Sequence, residues 1–266
     1  MACRNRLFFI LLLALSAFTA NANAAPLTDW RLNTAGTGFA DATVVASGMS
    51  FTGDGFVQGY NFGAGGFSFS EYGTFLAGLP GSTSGNQITM TYQLSGYVNY
   101  ATGISFSGGT IDMFSDPLFN YGSASNTYGA ADGTRIATLT ATSGGSIGPD
   151  AVALYGIMNV LEAGYFFTGD GQDLVNSNFT FSVFDQNAVG SPSATLISEI
   201  VCGLASFTGP GCDGITPYSN QQPFYWVVSD AGLMQLSHNV PEPASTALIA
   251  AGLAAMGLLS RRRKRA

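Results

Sequence analysis

Charged side chains are scarce in this chain of 266 residues: Asp, Glu, Lys and Arg together make up 9%, against roughly a quarter in an ordinary soluble protein. Lysine occurs once, as Lys264, and histidine once, as His238. Between residues 25 and 239 the only basic side chains are Arg31 and Arg135, set against fifteen acidic ones, a net charge of −13. Such a surface repels phosphate backbones and anionic lipid, so nucleic acid is excluded as a partner. One histidine beside the C-terminal segment leaves no material for a histidine-built zinc site and argues against a Ser-His-Asp arrangement. There is no C-x-x-C pair, no glycine-rich loop ending in lysine and no dinucleotide fingerprint. Long stretches of 3.6-residue periodicity are missing too, which excludes a helical bundle or a coiled coil.

What the chain has instead is glycine, 35 residues, with 20 Phe, 11 Tyr and 2 Trp to supply a core. Low charge with this much aromatic surface does not spell disorder. The apolar period is two. Ile88, Met90, Tyr92 and Leu94 alternate with Thr89, Thr91, Gln93 and Ser95. Phe179, Phe181 and Val183 alternate with Thr180 and Ser182, and Ile104, Phe106, Ile111 and Met113 continue the pattern. Each run reads as a half-buried strand between Gly, Ser or Asn clusters. The expected fold class is all-β, an antiparallel β-sandwich or jelly roll, with a C-terminal single transmembrane helix. Residues 151–163 are apolar and read as a buried strand pair or a helix, 195–204 is likewise ambiguous, and 81–86 and 143–149 read as loops.

The two ends read as addresses. Arg4 and Arg6 precede an apolar run over residues 7–15, and Ala22-Asn23-Ala24 supplies a small-residue cleavage site. Residues 1–24 are therefore expected to be a signal peptide, because the run is too short to span a membrane. At the other end, Pro241, Glu242 and Pro243 precede sixteen uncharged residues, 244–259, and then Arg261, Arg262, Arg263, Lys264 and Arg265. Sixteen residues rise about 24 Å as a helix, and arginine stems snorkel to cover the rest of the bilayer. The basic cluster acts as a membrane stop on the cytoplasmic side and leaves residues 25–239 outside, as one extracytoplasmic β-rich domain. The two prolines hold the preceding segment extended, as a processing protease needs.

This tripartite end over residues 240–266 resembles the PEP-CTERM sorting signal of Gram-negative, exopolysaccharide-producing bacteria. The resemblance implies an exosortase as partner. It also implies transient anchoring in the inner membrane and then release to the cell surface or extracellular matrix. A second resemblance lies in the body: Asp112-Met113-Phe114-Ser115-Asp116, then residues 131–139, residues 163–167 and Gly171-Gln172-Asp173-Leu174 are similar to the flocculation-associated PEP-CTERM proteins. It implies a non-catalytic surface protein that holds cells in exopolysaccharide flocs or biofilm.

Cys3 leaves with the signal peptide. Cys202 and Cys212 remain as an even pair in an oxidising compartment and are expected to form a disulfide; a redox dithiol and half of a metal site are the alternatives. Phe51-Thr52-Gly53-Asp54-Gly55 recurs as Phe167-Thr168-Gly169-Asp170-Gly171, and Phe207-Thr208-Gly209-Pro210-Gly211 echoes it. Asp-Gly reads as a reused tight hairpin turn. The sharper reading is a weak calcium loop using Asp170 and Asp173 with Asp132, though the chain has no EF-hand pattern. No cofactor, catalytic residue or metal ligand is otherwise assigned.

The leading expectation is thus a non-catalytic matrix protein that contacts extracellular polysaccharide. The alternatives are a secreted polysaccharide-active enzyme using two carboxylates, drawn first from Glu71, Glu162 and Glu199, or a permanently anchored periplasmic protein.

Overall fold

The computed structural model describes residues 27–45, 48–79, 85–175, 177 and 179–238. The signal peptide, Pro241, Glu242, Pro243, the expected transmembrane helix and Arg261 to Arg265 lie outside the described residues. No helix among the described residues is long and apolar enough to cross a membrane.

Eight long strands dominate: β3 (Met49–Gly63), β4 (Gly66–Gly78), β5 (Gln87–Asn99), β6 (Gly103–Asp116), β7 (Thr134–Gly148), β8 (Ala151–Leu161), β10 (Phe179–Val189) and β11 (Tyr225–His238). Each is antiparallel to its neighbour, and the sheet closes on itself where β11 pairs with β3. The body is all-β as expected, but it is a closed up-and-down barrel, not a sandwich or jelly roll. Successive strands lie beside one another without any crossover, and tight hairpins at one end leave no length for a Greek-key connection. A second sheet of three short strands is formed by β1 (Trp30–Leu32), β2 (Thr43–Val45) and β9 (Phe166–Phe167).

Inward and outward residues alternate along the staves, as the sequence period predicts. Ile88, Met90, Tyr92 and Leu94 are buried, as are Phe179, Phe181 and Val183. Along β6, Phe106 and Ile111 both point inward although five positions separate them. A bulge at Ser107–Gly109 makes this possible, since Gly108 pairs with Ser95 while Phe106 pairs with Gly96. Gly109 sits at φ 149°, and a side chain there would meet the Gln93 carbonyl at 2.2 Å.

The barrel's two ends differ. Three hairpins, at 63–66, 99–103 and 148–151, make one end short and open. Asn99 builds one of them: its Oδ1 accepts from the Ala101 and Thr102 amides. The other end carries no tight hairpin and bears the small sheet, whose Trp30, Leu32 and Phe166 join one continuous core with the barrel interior. The connection from β10 to β11 lies against the outer wall. Its helical segment, Ala194–Leu196 running into Ile197–Leu204, packs Leu196, Ile200 and Val201 on Phe56 of β3 and Val227 of β11. Ser193 caps its start, accepting from the Leu196 amide. Cys202 and Cys212 form a disulfide that closes the following loop, with Cα atoms 5.4 Å apart.

Two local readings are corrected and two open ones are resolved. Residues 143–148 are strand, because β7 pairs with β8 through Gly148. Residues 151–161 form one strand, and 195–204 is helical. Finally, the first copy of the repeated phrase is no turn: Gly53-Asp54-Gly55 runs extended in the middle of β3, paired to β4 and β11. The expected loop at 81–86 falls mostly outside the described residues.

Candidate functional site

Four side chains that belong to no core by type meet at the barrel's waist. Glu71 comes from β4, Tyr92 from β5, Asp185 from β10 and Asp230 from β11, each at an inward position of its strand. The Tyr92 hydroxyl lies 3.1 Å from Glu71 Oε1 and 2.8 Å from Asp230 Oδ2, so those two oxygens are no more than 5.9 Å apart. Asn187 of β10, with its amide turned to donate, gives one N–H to Asp185 Oδ2 at 2.7 Å and the other to Asp230 Oδ1 at 3.2 Å. Three carboxyl groups are thus strung on a tyrosine and an asparagine.

The space for this string is made by glycine. Gly55, Gly73 and Tyr92 lie side by side across β3, β4 and β5. A Cβ at Gly55 or Gly73 would meet the Tyr92 hydroxyl at 2.2 or 2.4 Å. Their bare backbones let the ring lean across two strands to reach Asp230. Here the repeated glycine phrase serves close approach, not turn formation.

Burial dominates the electrostatics. It pushes Glu71 from 4.5 up to about 7, with the hydrogen bond from Tyr92 pulling the other way. It pushes Asp185 from 3.8 up to about 8, helped by the nearby Glu71 charge. Asp230 is raised well above the ordinary carboxylate range by burial and then by Glu71 and Asp185. Tyr92 is driven up by burial and by the Asp230 and Glu71 charges, and it stays a hydrogen-bond donor. Near neutrality the group therefore holds protons that exposed carboxylates would have lost.

From this waist a cavity of about 140 Å³ opens toward the short end, walled by Phe69, Val98, Phe106, Trp226 and Val228 with Glu71 and Asn187 at its floor. A smaller pocket of about 20 Å³ continues inward, sharing Glu71, Phe106 and Asn187 and adding Tyr92 and Asp185. Around the same end, Phe62, Tyr97, Tyr100 and Phe224 are exposed. Phe67 lies 5.2 Å from Phe62, 6.2 Å from Tyr100 and 6.4 Å from Trp226 between ring centroids, so the rim is a connected aromatic cluster.

Of the three glutamates marked in the sequence, the structure brings only Glu71 into the interior. Glu162 follows β8 at the far end, exposed, and Glu199 sits on the wall helix with its carboxylate 3.5 Å from the Tyr128 amide. The partners of Glu71 are aspartates the sequence reading passed over. Their signal was phase: Asp185 continues the inward series Phe179, Phe181, Val183, and Asp230 falls in step with Val228, Met234 and Leu236. The calcium reading finds each aspartate engaged locally. Asp170 accepts from Thr168, Asp173 accepts from the Gly164 and Val175 amides, and Asp132 accepts from Asn120 and Ser125. Among the described residues no group of three His, Cys, Asp or Glu side chains is placed to hold a metal ion.

Comparison with known proteins finds one match. A family model described as the PEP-CTERM protein-sorting motif fits residues 239–264. No curated protein and no solved structure matches the chain. The motif is an exosortase recognition signal, so the chain is exported through the inner membrane toward the cell surface, with an exosortase as its processing partner.

Proposed function

We propose that this chain, bearing a sorting motif on an acidic barrel, is a non-catalytic structural or adhesive protein of the extracellular matrix that contacts exopolysaccharide in biofilm or flocs. The observation that carries this reading is the aromatic rim: an exported barrel presents Phe62, Tyr97, Tyr100 and Phe224 to solvent at one end. Aromatic faces stack on sugar rings, and the surrounding Ser, Thr and Asn side chains offer neutral hydrogen bonds. Anionic polysaccharide meets the net charge of −13 through divalent ions shared between the two surfaces. Deleting the gene tests the proposal. Cells should lose floc cohesion and shed polysaccharide, and a Tyr100→Ala/Phe224→Ala variant should fail to restore them. Normal flocs and normal polysaccharide retention in the deletion strain overturn it. Permanent periplasmic anchoring predicts that residues 261–265 remain on the surface-exposed protein, which mass spectrometry of its C-terminus reads directly.

A second reading, a polysaccharide-active enzyme, rests on the short distance between the Glu71 and Asp230 oxygens, near the separation that two catalytic carboxyls use. Against it, Asp230 is only 3% exposed, and the cavity at Glu71 has about the volume that takes one benzene ring, not a polymer. Release of reducing ends from exopolysaccharide, abolished by Glu71→Gln, would favour the enzyme.

A further inference from the structure

The interior carboxyl group is incomplete as a hydrogen-bond system. Asp185 is 9% exposed and points into the inner pocket, yet its Oδ1 is buried with no hydrogen-bond partner. A buried acceptor left unmatched costs about 1–3 kcal/mol, more when charged. The groups facing it do not supply a positive charge. The side chains are Glu71 from β4, Tyr92 from β5, Asn187 from β10 and Asp230 from β11, with Asp54 of β3 adding its own negative field at Asp230, and the Gln186 and Ala231 amides also reach the Asp185 carboxyl without bringing a charge. The body's two arginines are occupied elsewhere. Arg31 lies over the Phe39 ring at 4.9 Å on the small sheet, and Arg135 lies 3.9 Å from Asp112. Buried carboxylates are ordinarily paired or neutralised.

We propose that the open end of the barrel is a binding site for a small organic ammonium ion, its apolar body held between Phe69, Phe106 and Trp226 and its N–H groups directed to Glu71 and Asp185. The two compartments match the two parts of such a ligand. The outer cavity, about 140 Å³, is apolar and takes roughly one six-membered ring. The inner pocket, about 20 Å³, admits one group the size of water, which is also the size of an ammonium head. Trp226 lines the same cavity, and aromatic surroundings favour an entering cation. An anion is repelled by the floor, and a neutral apolar molecule leaves Asp185 Oδ1 unmatched. A bare metal ion finds no three carboxylates placed to hold it among the described residues. The inference does not depend on the matrix role, since it concerns the barrel's interior and not its rim.

Isothermal titration of the exported protein at pH 8 tests it, with benzylamine, benzyl alcohol, benzoate and glucosamine as probes. Benzylamine should bind at least about tenfold more tightly than benzyl alcohol, the ratio expected when a charge-assisted hydrogen bond is lost, and benzoate should give no heat. Glu71→Gln and Asp185→Asn should each weaken benzylamine about tenfold, while Asp112→Asn, outside the barrel lumen, leaves it unchanged. Tighter binding of glucosamine than of benzylamine assigns the ammonium to an amino sugar, and the reverse assigns it to an apolar amine. If the variants do not fold, the unmodified protein still decides. Benzylamine affinity should rise severalfold from pH 6 to pH 8 as the floor ionises. Equal binding of benzylamine and benzyl alcohol, no binding of either, or a flat pH profile overturns the proposal. Flocculation defects in the deletion strain are read separately and bear only on the matrix role.

Discussion

Leu32, Met49, Ile88, Met113, Ile136 and Phe179 gather at the covered end of the barrel and are at most 2% exposed, whereas Phe62, Tyr100, Val189 and Phe224 at the other end are 41–59% exposed. The same alternating strands build both ends, so strand sequence does not account for the difference. The connections do. At the covered end, the connection after β8 brings Phe166 and Leu174 into the core and the small sheet adds Trp30 and Leu32, while residues 117–133 lie on the outer wall, with Tyr121 bonded to Thr74 and Tyr128 packed on the wall helix. At the open end three connections are hairpins, and the one long connection is held on the outer wall by its helix. An eight-stranded barrel has an interior just wide enough to be filled by side chains or to leave room for one small ligand, and this one is filled in one half and hollow in the other.

Four changes would break or sharpen that contrast, here from the strongest to the weakest. Phe181→Ala empties a fully enclosed position and should lower unfolding free energy by about 3–5 kcal/mol in denaturant melts. Removing the disulfide with Cys202→Ser/Cys212→Ser frees the loop that secures the wall helix at the open end. It should cost about 3 kcal/mol by loop-closure entropy, with proteolysis then entering residues 197–218 before the barrel.

The third change is pH. Glu71 and Asp185 have folded values raised above their ordinary 4.5 and 3.8, to about 7 and about 8, by burial. The unfolded chain therefore loses these protons first. The stability they contribute is complete below about pH 4 and is lost as pH climbs through 7 and 8. The thermal midpoint should fall between pH 5 and pH 8, and Glu71→Gln should flatten that fall. A midpoint independent of pH across this range would show that the waist does not hold its protons. The weakest effect belongs to Phe224→Ala on the exposed rim. Stability should move by no more than about 0.5 kcal/mol, while retention on immobilised exopolysaccharide drops.

The alternation in residues 88–94 and 179–183 announced strands and their buried faces, because burial on one side of a sheet writes a period of two into the chain. The disulfide was equally legible from two cysteines in an exported body. Closure into a barrel was not: the β11–β3 contact joins residues about 175 positions apart, and no local pattern encodes it. The site was hidden for a related reason. Asp185 and Asp230 look like ordinary strand acids until their phase is read against apolar neighbours. Gly55 and Gly73 look like turn residues until a tyrosine from a third strand is found lying across them. A polar residue in step with the inward series was the available clue to a polar lumen.

Because the barrel is a simple meander, every stave but one finds its partner among its neighbours in sequence. The exception is the seam between β3 and β11, and β11 ends at His238, one residue before the matched sorting motif begins. The ring cannot be sealed until the last stretch of the body has crossed the membrane. Export thus has a built-in finishing order: the cargo becomes whole only as its address label arrives, and a chain cut short before β11 leaves β3 with an unpaired edge.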